Sequence, residues 1–299
     1  MIMRRKKGWT VSVIISAVII SVMAIYLYRA GNQEVKEPKH TPRSEQRNAL
    51  TETPIRDLQE KYGTDGTVPK DKISQARKRV AILIDDIGYD LSPLYELLKI
   101  DASLTFAILP HYAHSVDAAN ILHRAKREIL LHLPMEPHTF PDENPGMGAL
   151  LMSMSDRQIK EEVDKDLDAI PHLSGVNNHM GSKFMEDEAK LSIVFTQLKK
   201  RNLFFVDSRT TPLSRGPKIA RKLGLPFATR KVFIDNDNND YMTIFRNLTA
   251  SIDREFDNNS EAVVMIGHPH LKTIQALKEA IPVLKARGID IVPVSELVQ

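Results

Sequence analysis

From residue 79 onward, short and wholly apolar runs alternate with longer segments in which apolar residues recur every three or four positions. The short runs are rich in Val, Ile, Leu and Phe and carry no alternating polar residues, which is typical of strands that are covered on both faces. They predict strands at residues 80–84, 103–109, 128–133, 175–178, 203–206, 226–228 with 232–234, 262–266 and 289–294. This alternation favours a parallel α/β fold.

The longer segments predict amphipathic helices. Ser155 and Gln158 have the spacing of a capping box, and the apolar residues that follow fall on one helical stripe. Similar stripes cover residues 191–198, 244–256 and 274–284, and Gly288 is a suitable stop for the last of them. Seven or eight such β-α units predict a distorted, incomplete (β/α) barrel of about seven parallel strands, with an open doubly wound sheet as the alternative.

The segment 9–28 contains twenty residues without a charge. As a helix it would be about 30 Å long, the thickness of the hydrocarbon core of a bilayer. Residues 4–7, Arg-Arg-Lys-Lys, precede it and predict a cytoplasmic N-terminus. We therefore predict a basic cytoplasmic stub at 1–8 and a single-pass transmembrane anchor in the cell inner membrane, with the following domain periplasmic or extracytoplasmic. A cleaved signal peptide is the alternative, but the apolar region is long and lacks a good cleavage site.

Residues 29–78 are polar and rich in proline, and they predict a flexible linker that leads to a folded domain at 79–299. The chain has 41 Lys and Arg against 38 Asp and Glu, and without residues 4–7 the remainder carries 37 against 38. No basic face is left to bind nucleic acid, and no glycine-rich phosphate-binding motif indicates a nucleotide. Cysteine is absent from the sequence, which excludes disulfides and thiolate chemistry.

Polar residues follow nearly every predicted strand at its carboxyl end, where the active sites of parallel α/β folds gather. They are Asp85 and Asp86, His111, His132 and Glu136, Asn178 and His179, Asp207 and Arg209, and His268 and His270. Each alone could cap a helix, but together they predict a shared site. The acidic run at 235–240 instead predicts a turn and helix cap, because it lacks the glycine and glutamate of a calcium loop.

The adjacent carboxylates Asp85 and Asp86 repel each other unless a cation or a shared proton relieves them. Strand alternation predicts that they point in different directions and have different roles. One Asp and two His form a usual ligand set for Zn²⁺ and leave a position for water, so His132 and His179 are candidate ligands. Glu136 is a further candidate ligand or a supporting group.

Six motifs identify a family resemblance. They are IDDIG at 84–88, HLPMEP at 132–137, NNHMGS at 177–182, FVDSRT at 205–210, VFIDN at 232–236 and GHPH at 267–270. Together they resemble the divergent polysaccharide deacetylase family, whose relatives among the carbohydrate esterases remove N-acetyl groups. The resemblance covers about residues 78–299 and implies a distorted (β/α) barrel of about seven strands.

The resemblance also implies roles for the site residues. In related deacetylases the first acid of the pair is the base, the second binds metal, and a late histidine is the general acid. Carried over, Asp85 is the candidate base, Asp86 and His132 are candidate ligands, and His268 is the candidate acid.

The chain departs from the family pattern at two places. Glu136 stands where an H-x-x-x-H segment would have its second histidine, and the usual R-x-P-Y stretch is replaced by the segment that contains Asn178 and His179. We therefore infer that His179 supplies the missing imidazole. Residues assigned to orienting these groups or binding sugar are Asn178, Asp207, Arg209 and His270.

These observations predict an envelope-facing, metal-dependent hydrolase, with zinc as the expected ion, acting on an acetamido or ester group of a glycan. Its expected partners are an envelope polysaccharide and, through the N-terminal helix, the lipid bilayer. The alternative is a non-catalytic glycan-binding or envelope-scaffold protein with a degenerate deacetylase site, which the replacement at Glu136 favours. A metal-dependent phosphohydrolase ranks last, because it would need more basic residues around the site.

Overall fold

The computed structural model describes residues 78–236, 240–258, 260 and 262–299. The predicted basic stub, the predicted anchor and all but the last residue of the predicted linker lie outside these ranges. Within the ranges, no helix has the length and apolar character needed to cross a membrane.

Strands and helices alternate along the chain. The strands are β1 (Arg79–Ile87), β2 (Thr105–Ile108), β3 (Glu128–Met135), β4 (Gly175–Met180), β5 (Phe204–Asp207), β6 (Phe227–Thr229), β7 (Val232–Phe233), β8 (Ala262–Gly267) and β9 (Asp290–Ile291). The helices are α1 (Ser92–Leu98), α2 (Ser115–Arg124), α3 (Asp156–Ala169), α4 (Glu188–Lys200), α5 (Gly216–Leu223), α6 (Tyr241–Asp257) and α7 (Leu271–Ala286). Two 3₁₀ turns lie at Phe184–Glu186 and Val294–Leu297.

All strand pairs are parallel, in the order β6-β5-β4-β3-β2-β1-β8-β7, with β9 beside β1. This order is consecutive around a ring, because β8 pairs with β1 and the ring opens between β6 and β7. Only Arg230 and Lys231 separate those two strands in sequence, yet no ladder joins them in the described ranges. A doubly wound sheet would instead reverse its strand order at a switch point. The predicted incomplete (β/α) barrel is therefore confirmed, with nine described strands where about seven were expected.

Alternate strand residues form a buried apolar cluster inside the barrel. Its members include Ala81 and Leu83 of β1, Leu130 of β3, Val206 of β5, and Val264 and Ile266 of β8. Val294 and Leu297 of the last 3₁₀ turn join this cluster, and the backbone N–H of Val294 donates to Thr105 Oγ1 at the start of β2. The C-terminal turn thus closes the barrel at the amino ends of its strands, which is why the predicted strand at 289–294 is shortened to β9.

The capping box predicted for α3 is confirmed. Ser155 Oγ accepts from the Gln158 backbone N–H at 3.4 Å, and Gln158 Oε1 accepts from the Ser155 backbone N–H at 2.9 Å. Both bonds satisfy backbone donors that a helix start otherwise leaves unpaired. Behind them, Ile159, Val163 and Leu167 form the buried stripe of the helix.

We expect Ser155→Ala to lower the free energy of unfolding by about 1 kcal/mol, because it removes the acceptor at the start of α3. Ser155→Asp should retain most of the stability. Urea denaturation followed by circular dichroism measures the difference, and Ser153→Ala, at an exposed position of the same loop, is the matched control. Equal stability of Ser155→Ala and Ser153→Ala would contradict the role given to the cap.

Candidate metal and catalytic site

The alternate strand residues that face the barrel interior form an interior row, which is apolar along the strands and polar at their carboxyl ends. Asp85 in β1, His132 in β3 and His268 after β8 each lie two positions after an apolar residue of this row. All three line one cavity of about 500 Å³. The period of two along a strand therefore places these residues on the same side as the core.

A register irregularity in β1 turns Asp86 towards the same cavity. The pairing of β1 with β2 shifts between Ile84 and Ile87, and Asp86 has a φ of 57°, which is uncommon for a residue other than glycine. His132 Nε2 lies 3.7 Å from Asp85 Oδ2 and 3.2 Å from Asp86 Oδ1. The expectation that the two carboxylates point in different directions is therefore wrong, because the bulge interrupts strand alternation.

Three potential ligand atoms form a small triangle in the cavity. Asp86 Oδ1 lies 3.2 Å from His132 Nε2 and 3.2 Å from His179 Nδ1, and the two nitrogens are 3.1 Å apart. Ligand atoms about 2.0–2.1 Å from a tetrahedral zinc ion would be separated by about 3.3 Å. Asp86 Oδ1 is also buried, and among the described residues it meets these two nitrogens outside hydrogen-bond geometry. The three side chains therefore fit a divalent metal ion.

The side-chain amide of Asn177 connects the candidate base to a candidate ligand. Its Nδ2 donates to Asp85 Oδ1 at 2.8 Å, so its Oδ1 faces His132 Nδ1 at 2.9 Å. An amide oxygen only accepts, so His132 Nδ1 must carry a proton. The Nε2 of neutral His132 then presents its lone pair to the triangle. Sequence analysis assigned no role to Asn177.

The carboxylates of Asp85 and Asp86 concentrate negative charge at this end of the cavity. Burial raises the pKa of Asp85. Burial acts in the same direction on Asp86, but contacts with His132 and His179 outweigh it and hold the pKa of Asp86 well below its usual range. Burial alone would lower the pKa of His132, yet the two carboxylates raise it. A metal ion or additional protons would both supply the missing charge.

His268 is held by a carboxylate of its own. Its Nδ1 lies 3.0 Å from Asp235 Oδ1, and its backbone N–H donates to Asp235 Oδ2 at 2.8 Å. Burial opposes the charged form of His268, but Asp235 outweighs burial and the pKa of His268 rises to about 9. The opposite edge of the His268 ring faces the cavity, and its Nε2 lies 3.8 Å from Asp86 Oδ2.

Residues 237–239 of the predicted turn at 235–240 lie outside the described ranges, and the residues on either side of them include a site residue and a helix cap. Asp240 caps α6 by accepting from the Thr243 backbone N–H at 3.0 Å, as expected. The assignment of Asp235 to the turn was incomplete, because its carboxylate is buried against His268 and Thr273. These partners follow it by more than thirty positions, so no local pattern indicated them.

Glu136 does not contact the triangle. Its Oε1 pairs with Lys183 Nζ at 2.7 Å and its Oε2 accepts from the Met152 backbone N–H at 2.6 Å. It therefore anchors the long loop after β3, and the structure gives no support to its expected role as a ligand.

Residues at the end of β5 and in the segment that follows it contribute to a loop and to the cavity. Asp207 accepts from Ser214 Oγ at 2.6 Å and from the Arg209 backbone N–H at 2.8 Å, so it shapes the loop. Arg209 is exposed, and neither of these two residues lines the cavity. Asn178 does line it, but its side chain is bonded to the Ser208 N–H and the Met180 carbonyl. The contacts of the Asp207 and Asn178 side chains thus support the loop, and the sugar-binding or orienting role expected of these two residues and of Arg209 stays a prediction.

Two further cavity residues were missed by sequence analysis. Ser208 follows Val206 on the interior row, and its Oγ accepts from Asn177 Nδ2 at 3.2 Å. Arg230 crosses the rim, where its Nε donates to the Ser208 carbonyl at 2.6 Å and its guanidinium lies 4.5 Å from the Phe233 ring centroid. Counting every second residue from the buried core would have found Ser208. His270, as predicted, also lines the cavity, and its ring centroid is 5.6 Å from that of His268.

A larger cavity of about 990 Å³ is lined by residues of β6, β8 and the last 3₁₀ turn, among others. Its charged lining residues are Arg79, Arg221, Lys231 and Glu296. This lining offers no carboxylate–imidazole cluster, so the smaller cavity is the candidate site.

Comparison with known proteins finds relatives that are similar to this chain over most of its length. The family model of divergent polysaccharide deacetylases matches residues 82–298. An uncharacterised protein of Haemophilus influenzae is 31% identical over 205 residues, covering 69% of this chain and 71% of its own length. The uncharacterised protein YibQ of Escherichia coli is 30% identical over 203 residues, covering 68% of this chain and 62% of that protein.

A solved structure has the same fold. The crystal structure of an uncharacterised protein of Agrobacterium tumefaciens superposes with a TM-score of 0.70 at 23% identity, covering 80% of this chain and 94% of the other. The family match includes all six of the segments that place residues in the candidate site. The chain therefore belongs to the divergent polysaccharide deacetylase family.

Proposed function

We propose that the protein is a metal-dependent hydrolase that removes an acetyl group from an acetamido or ester group of a glycan. The family supports the glycan and the type of bond. The observation that carries the proposal is the triangle of Asp86, His132 and His179, with atoms 3.1–3.2 Å apart, beside a buried carboxylate and a second imidazole.

Asp86, His132 and His179 would hold a divalent ion, which we propose to be zinc. When bound, the ion would act as a Lewis acid on the acyl carbonyl and the attacking water. One carboxylate and two imidazoles leave coordination positions for both.

Asp85 would take the proton from the attacking water. Its carboxylate is buried, and Asn177 Nδ2 fixes Oδ1 while Oδ2 remains 3.7 Å from His132 Nε2 at the edge of the triangle. Burial raises the pKa of Asp85, which makes its carboxylate a stronger base.

His268 would deliver a proton to the leaving group. Asp235 holds its Nδ1, so Nε2 is the atom that faces the cavity and donates. As the bond between the acyl carbon and the glycan nitrogen or oxygen breaks, that proton yields a neutral amine or hydroxyl, and the water oxygen stays in the released acetate. The raised pKa of His268 keeps this imidazole protonated at neutral pH.

A non-catalytic glycan-binding or scaffold role is the second candidate. It is favoured by Glu136, which occupies the position of a family ligand and pairs with Lys183 instead. The two roles differ in acetate release and share glycan binding.

We also propose that the domain lies outside the cytoplasm on a single-pass inner-membrane anchor. This proposal is supported by the uncharged segment at 9–28 and by the basic residues at 4–7.

Asp86→Asn should abolish acetate release from N-acetylated glucosamine oligosaccharides and weaken zinc binding. The loss should exceed the 10- to 100-fold typical of changes around a metal ligand. Acetate assays and equilibrium dialysis measure the two effects, and Asp168→Asn, at an exposed residue of α3, is the control. Glycan binding without acetate release by the zinc-loaded wild-type protein would favour the scaffold role and contradict hydrolysis.

Asp235→Asn should move the basic limb of the kcat/KM–pH profile to lower pH by about two units, towards the ordinary histidine value. In the wild-type protein, His268 has a pKa of about 9 and donates only while protonated, so activity falls as the pH rises through that value. If the basic limb of Asp235→Asn lies at the same pH as that of the wild-type protein, the contact between Asp235 and His268 does not determine the basic limb. Asp240→Asn, which alters only the cap of α6, is the control.

A single cysteine introduced by Leu213→Cys should react with a membrane-impermeant maleimide in spheroplasts. Leu213 is 62% exposed and the natural sequence has no cysteine, so labelling reports one site. Ile2→Cys, in the predicted cytoplasmic stub, should react only after the cells are lysed. Protection of the cysteine at 213 in spheroplasts would contradict the proposed location.

A further inference from the structure

A second group of metal-binding side chains lies outside the catalytic cavity. His111 follows β2, and Glu162 and Asp166 are one turn apart on α3. One ligand atom of each lies within 4.8 Å of the others. His111 Nε2 is 2.7 Å from Asp166 Oδ1, and none of the three residues lines the candidate active site.

Asp166 carries an unpaired buried oxygen. Its side chain is fully inaccessible, and its Oδ2 has no hydrogen-bond partner among the described residues. If the carboxyl group is ionised, His111 pairs with Oδ1 and leaves Oδ2 unsatisfied. If Oδ1 is protonated it donates to His111 Nε2, and if Oδ2 is protonated its O–H has no acceptor among the described residues. In each state Oδ2 stays without a partner in the protein interior, whereas a cation would satisfy the carboxylate.

The surrounding backbone is fitted closely to this carboxylate. A Cβ on Gly148 would lie 2.3 Å from Asp166 Oδ1, so a side chain at that position would displace the carboxylate. Gly148 has a φ of 76°, and His111 has a φ of 63°. The long loop after β3 and the loop after β2 thus meet α3 at Asp166, in backbone conformations that the surrounding contacts must hold.

The donor set indicates the class of ion. Two carboxylates and a neutral imidazole carry a charge of −2, which a divalent cation balances. A mixed nitrogen and oxygen set suits Zn²⁺ or Mn²⁺ better than Ca²⁺ or Mg²⁺, which prefer oxygen alone. Lys165 contacts Glu162 Oε2 at 3.0 Å, but it is 65% exposed, so the cation would compete with a solvated ammonium group.

We propose that His111, Glu162 and Asp166 bind a second divalent cation of the zinc or manganese class. The ion joins α3 to the loops after β2 and β3, and its role is structural. This site is independent of the proposed hydrolysis, because its ligands differ from those of the catalytic triangle.

Zinc titration of the full-length, metal-stripped protein tests the proposal, with stoichiometry measured by equilibrium dialysis and elemental analysis. The wild-type protein should bind two equivalents and Asp86→Asn should bind one. The remaining equivalent should be lost in the double variant Asp86→Asn/Asp166→Asn. Zinc should also raise the thermal unfolding midpoint of Asp86→Asn, but not that of the double variant.

Because Asp166 is buried, a second variant separates metal binding from folding. Glu162 is 22% exposed, so Glu162→Gln should preserve the far-UV circular dichroism spectrum. In the Asp86→Asn background it should weaken zinc binding at least tenfold. Glu161→Gln, at the neighbouring residue, which is 54% exposed, should leave the affinity unchanged. The proposal is overturned if Asp86→Asn binds no zinc, or if its remaining equivalent is unaffected by Glu162→Gln and Asp166→Asn.

Discussion

One buried amide sets the direction of the hydrogen bonds on which the site depends. Asn177 must donate to the carboxylate of Asp85, so it can only accept from His132. Reversing the amide would place its oxygen against a carboxylate and its NH₂ group against the N–H of His132. The orientation therefore leaves the lone pair of His132 facing Asp86 and His179, and it couples the candidate base to the ligand triangle.

His132 and His268 differ in the group that contacts Nδ1, and this difference suits each ring to a different role. An amide oxygen contacts Nδ1 of His132 and places no charge there, which suits a neutral ligand. A carboxylate contacts Nδ1 of His268 and stabilises the imidazolium, which suits a proton donor. The neighbour of Nδ1, Asn177 for His132 and Asp235 for His268, thus distinguishes two rings whose pKa nearby carboxylates raise in both cases.

The sequence predicted what depends on local pattern: the parallel strands, the cap of α3, and the location of Asp85, His132 and His268 at strand ends. It failed where the geometry is not local. The inward turn of Asp86 depends on a bulge that the strand pattern does not mark. Asp207 and Ser208 are both polar residues at a strand end, but only the serine lines the cavity, because it lies two positions after buried Val206. The contact between Asp235 and His268 joins residues 33 positions apart, and no sequence spacing predicts a contact of that kind.

The ring order of the strands has a consequence for synthesis. Of the described strands, β1 is made first, yet two of its neighbours, β8 and β9, are made last. While the nascent chain emerges, one edge of β1 stays without its partner, and the residues of Val294–Leu297 that fill the barrel have not yet been translated. Residues of the candidate site from β1 and from the end of β8 therefore meet only after most of the described chain has left the ribosome. An unfinished polypeptide exposes a hydrophobic strand edge that a holdase chaperone would recognise.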